Sequence, residues 1–471
     1  MGTKNRFYAD IMAINQEVTG SCNLIVVRFP DKSSVRFVVD CGLFQERKYN
    51  ELNETLEFDP QNIDFCIVTH NHVDHTGRLP LMVKNGYCNE IYATESTCKL
   101  LPLGLYDSFK VLMDVYKKKH MKCLYSEADV SRTLSLLTPC KYNETFMVGD
   151  NIKVTFFMNG HLVGAAVVLV QISYPGYEDI NLMFTGDYNN KNVFFNVDPI
   201  PDWATVLPLT LIQESTYGNM LTLEIQKTFK QNIKECLSNN GSVLALVFSI
   251  GRTQEILYEL KKMQDNGELD SQIPIYLDGS LAVKYTGLYL SGKLNIKNDL
   301  KYFLPKNLEF VDLKSRERVL DDESKKIILT TSGMGSYGPA QTYIPIYLSR
   351  KNALIQFTGF TAEGTMGHRL KNAIEGEKVA CGGMSAFKHA QVEYTNEFSG
   401  HAKADEMIEF LKQFKNLKLV LVNHGETNSK ELFAQTIENE INPKKVEILG
   451  REQFFRVNPY GLVKTLSTKF K

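Results

Sequence analysis

The stretch Thr69-His70-Asn71-His72-Val73-Asp74-His75-Thr76-Gly77 places three histidines and one aspartate within six residues. An apolar run at residues 65–69 precedes it and reads as a strand that delivers the polar segment at its C-terminal end. His70 and His72 alternate along an extended segment, so both imidazoles can face one metal ion. Asp74 and His75 fall past the bend, where they can face a second ion about 3.5–4 Å from the first, the separation used by two-metal hydrolases. Three of the chain's nine histidines lie here, which incidental placement on a surface loop explains poorly.

A closed coordination shell needs more donors than one loop supplies, so further His or carboxylate groups are expected at other strand ends. His161 follows the apolar run 154–158 and the turn Asn159-Gly160, and Asp187 follows the run 182–185 in Thr185-Gly186-Asp187. A carboxylate has two oxygens and can serve two cations. Asp40, in Asp40-Cys41-Gly42 after the run 35–39, is suited to hold a ligand imidazole in one tautomer from behind. Glu214, His401 and His424 also sit at strand ends or before a helix, and spacing alone makes them site candidates without a role.

Working outward, residues 23–28, 35–39, 65–69, 154–158, 165–172 and 182–185 are short β-branched runs that suit buried strands. Residues 95–122 and 126–137 carry helical spacing, with Ser126 and Asp129 offering N-cap chemistry to the second. After about residue 210 the rhythm becomes strand, turn, helix: 242–248 then 253–263, and 273–277 then 281–290, followed by strands at 326–331 and 353–357. That alternation predicts a parallel α/β unit. Near the end, 402–414 and 428–440 read as helices around a buried strand at 417–422.

The chain has 471 residues, 43% hydrophobic and 23% charged, which fits one or two large globular domains and excludes a disordered or low-complexity chain. Its formal charge of −1 offers no generally basic surface, so a nucleic-acid partner must be met by a local patch. Lys117-Lys118-Lys119 could guide such a partner, although a solvated helix face accounts for it more simply. Nine cysteines without a CxxC pair argue against a disulfide framework and for a reducing compartment. Neither a signal peptide nor a membrane span is expected, which predicts a cytoplasmic protein.

Taken together, these residues closely resemble the β-CASP branch of the metallo-β-lactamase-fold nucleases over essentially the whole chain. Asp40, His70 to His75, His161 and Asp187 resemble the four metallo-β-lactamase motifs in order. Glu214 in Glu-Ser-Thr-Tyr-Gly, His401 in Ser-Gly-His-Ala and His424 in Asn-His-Gly-Glu resemble the branch's own motifs A, B and C. Segments 248–255, 331–334 and 358–365 agree; Thr19, where the branch more usually has Gly, is a small departure. The resemblance is nearest to compact prokaryotic relatives of the pre-mRNA 3′-end cleavage endonuclease.

That resemblance implies an α/β fold: an αββα sandwich from residues 1–210 and 396–471, with an α/β β-CASP domain at 211–395 and the active site in the cleft. It implies two zinc ions, one held by His70, His72 and His161, the other by Asp74, His75 and His424, with Asp187 bridging. Glu214 and His401 are implied as the proton-handling pair, and Asp74 counts among the catalytic groups. Ser399, Ser332 and Gly333 are candidate contacts to substrate phosphates. His424 at motif C favours RNA over DNA hairpins.

The expected activity is therefore RNA phosphodiester hydrolysis by a hydroxide held between the metals, as an endonuclease with 5′-3′ exonuclease action as a second mode, with RNA as partner, no membrane, and a homodimer left open. Hydrolysis of a small ester or thioester would leave Glu214, His401 and the inserted domain without a task. A non-catalytic subunit would not require every motif position to be filled.

Overall fold

The computed structural model describes residues 7–467 apart from 16, 119, 223–227, 301, 360, 362, 363, 382, 396 and 452. Lys119 and, within the segment 358–365, Phe360, Ala362 and Glu363 lie outside the described residues. The chain divides into two compact units, Met1–Thr222 with His401–Lys471, and Leu223–Gly400.

The first unit is built from two sheets. One has eight strands in the order Gly461–Ser467, Gln453–Asn458, Tyr8–Ala13, Asn23–Arg28, Ser34–Val39, Phe65–Ile67, Ile91–Thr94, Leu137–Cys140. The other has seven, in the order Val446–Ile448, Leu417–Asn423, Leu209–Glu214, Ile180–Phe184, Ala166–Ile172, Ile152–Met158, Thr145–Val148. Alternation along each strand sorts the apolar residues. Val168 and Val170 face a core shared with Ile25, Val27, Phe37 and Phe65 of the other sheet, whereas Val167 and Leu169 face outward onto Met407, Leu411, Phe433 and Ile437 of the helices Ala404–Lys412 and Thr427–Glu440. Strands buried on both faces need near-continuous apolar sequence, which these have. On the far side, Val38 and Cys66 pack with Leu79, Met82 and Val83 of the helix Leu79–Lys84. The layers are thus helix, sheet, sheet, helix.

The C-terminal segment completes both sheets. Leu417–Asn423 lies parallel to Leu209–Glu214, and Gln453–Asn458 lies antiparallel to Tyr8–Ala13, tied there by a bidentate pair from Arg456 to Asp10 at 2.7 and 2.8 Å.

The second unit contains a six-stranded sheet ordered Leu308–Val311, Ile275–Asp278, Ile327–Thr330, Ser242–Leu246, Ala353–Phe357, Gln391–Tyr394, with every neighbouring pair parallel. This bears out the strand-turn-helix rhythm.

Most predicted elements recur within a few residues. The helix expected at 126–137 is Glu127–Ser135, with a reciprocal capping box between Ser126 and Asp129; it stops early because Leu137–Cys140 joins the sheet edge. The helix expected at 95–122 ends at Lys118. Strands Tyr8–Ala13, Ile91–Thr94, Thr145–Val148 and those after residue 445 were not foreseen. Among the described residues, no helix is long and apolar enough to cross a membrane.

Leu421 is fully buried in the shared core. Leu421→Ala is expected to cost about 2–5 kcal/mol, while Leu432→Ala at an exposed helix position should stay within about 0.5 kcal/mol; denaturant midpoints of the two variants give the comparison.

Candidate metal centre and proton-handling pair

Most of the candidate side chains come from the C-terminal end of a strand or the turn after it, while His401 precedes the helix Ala404–Lys412. Ile67 ends the ladder, Thr69 follows, and His72 caps a single helical turn, Val73–Thr76. That turn is the bend expected from sequence, and it sends Asp74 and His75 to a different side from His70 and His72. The turn is held closely: a Cβ on Gly42 would lie 1.5 Å from the Asp74 carbonyl oxygen, and Ser21 N–H donates to that oxygen at 2.8 Å.

Two donor groups result. His70, His72, His161 and Asp187 form one, and Asp74, His75, Asp187 and His424 the other, each with its ligand atoms within 4.8 Å of one another. Asp187 belongs to both. Its Oδ1 lies 3.0 Å from His75 Nε2 and 3.3 Å from His424 Nδ1, and its Oδ2 lies 3.6 Å from both His70 Nε2 and His161 Nε2. Ring nitrogens face each other at 3.1 Å between His70 and His72, 3.1 Å between His161 and His72, and 3.2 Å between His75 and His424. Tetrahedral zinc with Zn–N bonds of about 2.0–2.1 Å has N···N edges of about 3.3 Å. The donor set therefore fits a pair of such cations.

Electrostatics point the same way. Burial opposes ionisation of Asp187, but the surrounding His424, His75, His401 and His70 outweigh it and hold its carboxyl well below the usual range. Burial, aided by neighbouring imidazoles, holds His70 well below the ordinary histidine value, in the neutral form that ligates metal.

Asp40 stands behind His75. Its Oδ2 is 2.7 Å from His75 Nδ1 and accepts from Thr69 Oγ1 at 2.8 Å, while Oδ1 accepts from Thr69 N–H at 2.8 Å. This leaves His75 Nε2 to face the centre, as expected for a carboxylate that selects the tautomer.

Glu214 and His401 are brought together from positions 187 residues apart, with Glu214 Oε1 2.9 Å from His401 Nδ1. The carboxylate is fixed by Tyr188 N–H at 2.6 Å and Thr216 N–H at 3.0 Å. His401 Nε2 lies 3.8 Å from Asp187 Oδ2. Burial lowers the His401 pKa, but the Glu214 and Asp187 carboxylates more than reverse this and hold it up at about 9.

Residues 18–215 match the family model described as the metallo-beta-lactamase superfamily, 253–370 the Beta-Casp domain, and 388–449 the Zn-dependent metallo-hydrolase RNA specificity domain. The protein named Probable RNase MJ4 of Methanocaldococcus jannaschii is 31% identical over 84% of this chain and 88% of its own length. The chain belongs to the β-CASP family of metallo-β-lactamase-fold nucleases. Other similar proteins are a ribonuclease of Thermus thermophilus, 29% identical over 87% of this chain and 91% of that protein, and transcription termination factor FttA of Methanosarcina mazei, 29% identical over 87% of this chain. The chain spans only 66% of the length of that factor.

Sequence reasoning missed the residues that hold these donors. Asn159 donates to the carbonyls of Thr185 and Asp187 at 2.9 and 2.6 Å while its Oδ1 accepts from His161 N–H at 2.9 Å, locking two ligand turns together. Thr216 Oγ1 is 3.2 Å from His424 Nδ1. Asn423 Oδ1 accepts from Asn15 Nδ2 at 3.0 Å, and Asn423 Nδ2 donates to Asn23 Oδ1 at 3.1 Å, beneath a His424 that has φ +48°. The available signal was an uncharged polar residue interrupting an apolar run just before a candidate ligand.

The three phosphate-contact candidates belong to the second unit. Ser332 Oγ accepts from Tyr337 N–H at 3.3 Å, and a Cβ on Gly333 would lie 2.7 Å from the Phe248 ring. Of the histidines left unassigned by sequence, His389 pairs with Glu375 at 3.0 Å.

Asp40→Asn keeps the shape but removes the charge behind His75. Metal affinity in a chelator competition is expected to fall about 10–100-fold; unchanged affinity would remove Asp40 from this role.

Proposed function

We propose that this RNA-cleaving metallo-hydrolase works with two zinc ions, the first held by His70, His72 and His161, the second by Asp74, His75 and His424, with Asp187 between them. The observation that carries the reading is one carboxylate shared by two buried donor groups with an oriented His-Glu pair 3.8 Å away. Bound zinc supplies Lewis acidity toward a phosphate and lowers the pKa of water from about 15.7 to about 7.

The protein's own groups do the rest. Asp187 and the imidazoles would hold the metals in a buried site, where charge interactions are strong. Glu214 accepts from His401 Nδ1–H and so keeps a proton on Nε2 as well, facing the centre. From there His401 can give that proton to the departing 3′ oxygen as general acid. Asp187's pull on His401 weakens once cations neutralise it, leaving Glu214 as the main support of the protonated form.

Ser399, Ser332 and Gly333 are taken as donors to neighbouring phosphates, residues 1–210 with 396–471 as the metallo-β-lactamase domain, and 211–395 as the β-CASP domain. The relatives named as ribonucleases support RNA as the substrate. Endonucleolytic cleavage is the main activity we propose, with 5′-3′ trimming of the product. The nine free cysteines suit a reducing, cytoplasmic setting.

Labelled RNA tests the reading. Wild type purified with zinc should cleave it, Asp187→Ala should lose both metal and activity, and His401→Ala should keep metal but lose about 10²–10⁴-fold in rate; a wild type that cuts nothing ends the proposal. A protonated acid is lost as pH rises through its pKa, so activity should fall on the alkaline side. Glu214→Gln lowers the His401 pKa and should move that alkaline limb to lower pH in the rate profile. Cleavage mapped on RNA with mono- or triphosphate 5′ ends separates internal cutting from trimming.

A further inference from the structure

One pair of nucleophilic side chains beside the metal centre has no part in the chemistry above. Asn23–Arg28 and Ser34–Val39 run antiparallel with Asn23 opposite Val39. Continued unchanged, that register would set Cys22 against Asp40. Asp40 instead has φ +66°, and beyond it Gly42 N–H donates to Ser21 O at 2.9 Å. Asp40 and Cys41 therefore both oppose Cys22, a one-residue bulge that turns Cys41 back toward Cys22. Adjacent strands lie about 4.8 Å apart, inside the Cα window of about 4.4–6.8 Å that a disulfide requires. Both residues are fully buried and share one apolar cluster.

These strand ends carry the second donor group. Cys41 N–H donates to His75 O at 2.8 Å, Ser21 N–H donates to Asp74 O at 2.8 Å, and Cys41 O accepts from Arg78 N–H at 2.9 Å. A bond between the two sulfurs would join the two segments that grip the Asp74–His75 turn.

We propose that Cys22 and Cys41 are a dithiol that hydrogen peroxide converts to a disulfide, stapling the platform beneath Asp74 and His75. The Cys41 thiolate attacks a peroxide oxygen, the O–O bond breaks, and the departing hydroxide takes a proton to become water. The Cys22 thiolate then attacks the resulting Cys41 sulfenic sulfur, the S–O bond breaks, and a second water leaves. Two electrons pass from the two sulfurs to peroxide, and both thiol protons end in water.

Peptide mapping of the full chain with its metal bound tests this. The reduced protein is treated with peroxide, denatured, blocked with N-ethylmaleimide and digested with trypsin without reductant. Residues 7–28 and 37–47 form tryptic peptides with one cysteine each. The expected product is a cross-link between them, absent after dithiothreitol and in Cys41→Ser or Cys22→Ala, in protein that melts several degrees above its reduced form. Recovery of both peptides as maleimide adducts while the exposed Cys88 is oxidised would overturn the proposal. So would Cys41 as an unlinked sulfinic acid. Both readouts come from wild type, so a variant that fails to fold does not obscure the result, and neither depends on ribonuclease activity.

Discussion

Asp187 is a buried carboxylate ringed by five imidazoles, with its two oxygens between 3.0 and 3.8 Å from nitrogens of His70, His75, His161, His401 and His424. A charge taken out of water is tolerated only where it is paired and hydrogen-bonded. Here the compensation must come from several strands at once, so the two-sheet architecture is needed to bring the donors together. The ring nitrogens facing one another near 3.1 Å have the spacing of ligands that share one divalent cation.

Around that hub, a set of ordinary groups removes the freedom of the donors. Asp40 and Thr69 aim His75, Asn159 ties the His161 turn to the Asp187 turn, and Tyr188 and Thr216 fix Glu214. Close backbone approach does similar work, since Gly42 leaves room for the Asp74 carbonyl and Gly425 for Ser215. None of these residues carries chemistry by itself. Together they keep Glu214 paired with His401 rather than with solvent, within one pocket of imidazoles. The sulfur pair at the bulge lies in the same supporting layer and couples it to the redox state of the surroundings.

The C-terminal segment gives the first unit its closure. Leu419 and Leu421 enter the core shared by the sheets, and Val420 and Val422 enter the layer under the outer helices. The strand that carries them ends at Asn423, beside His424. The same burial that stabilises the sandwich therefore delivers the last donor.

The local part of this protein was legible from its residues. Spacing within residues 69–77 separated His70 and His72 from Asp74 and His75, and apolar runs ending in His161, Asp187 and Glu214 marked those side chains as strand-end groups, because strand period and turn position are properties of neighbouring residues. Resemblance then supplied roles for Glu214, His401 and His424 that spacing could not. The resemblance implied that His424 joins His75 across 349 residues of sequence; only the tertiary structure decided which tail strands pair with Tyr8–Ala13 and Leu209–Glu214, and that a left-handed Asp40 shifts the register beside Cys41. Such contacts depend on which sheet edge remains open after every other strand has paired, a property of the whole chain that no window of sequence contains.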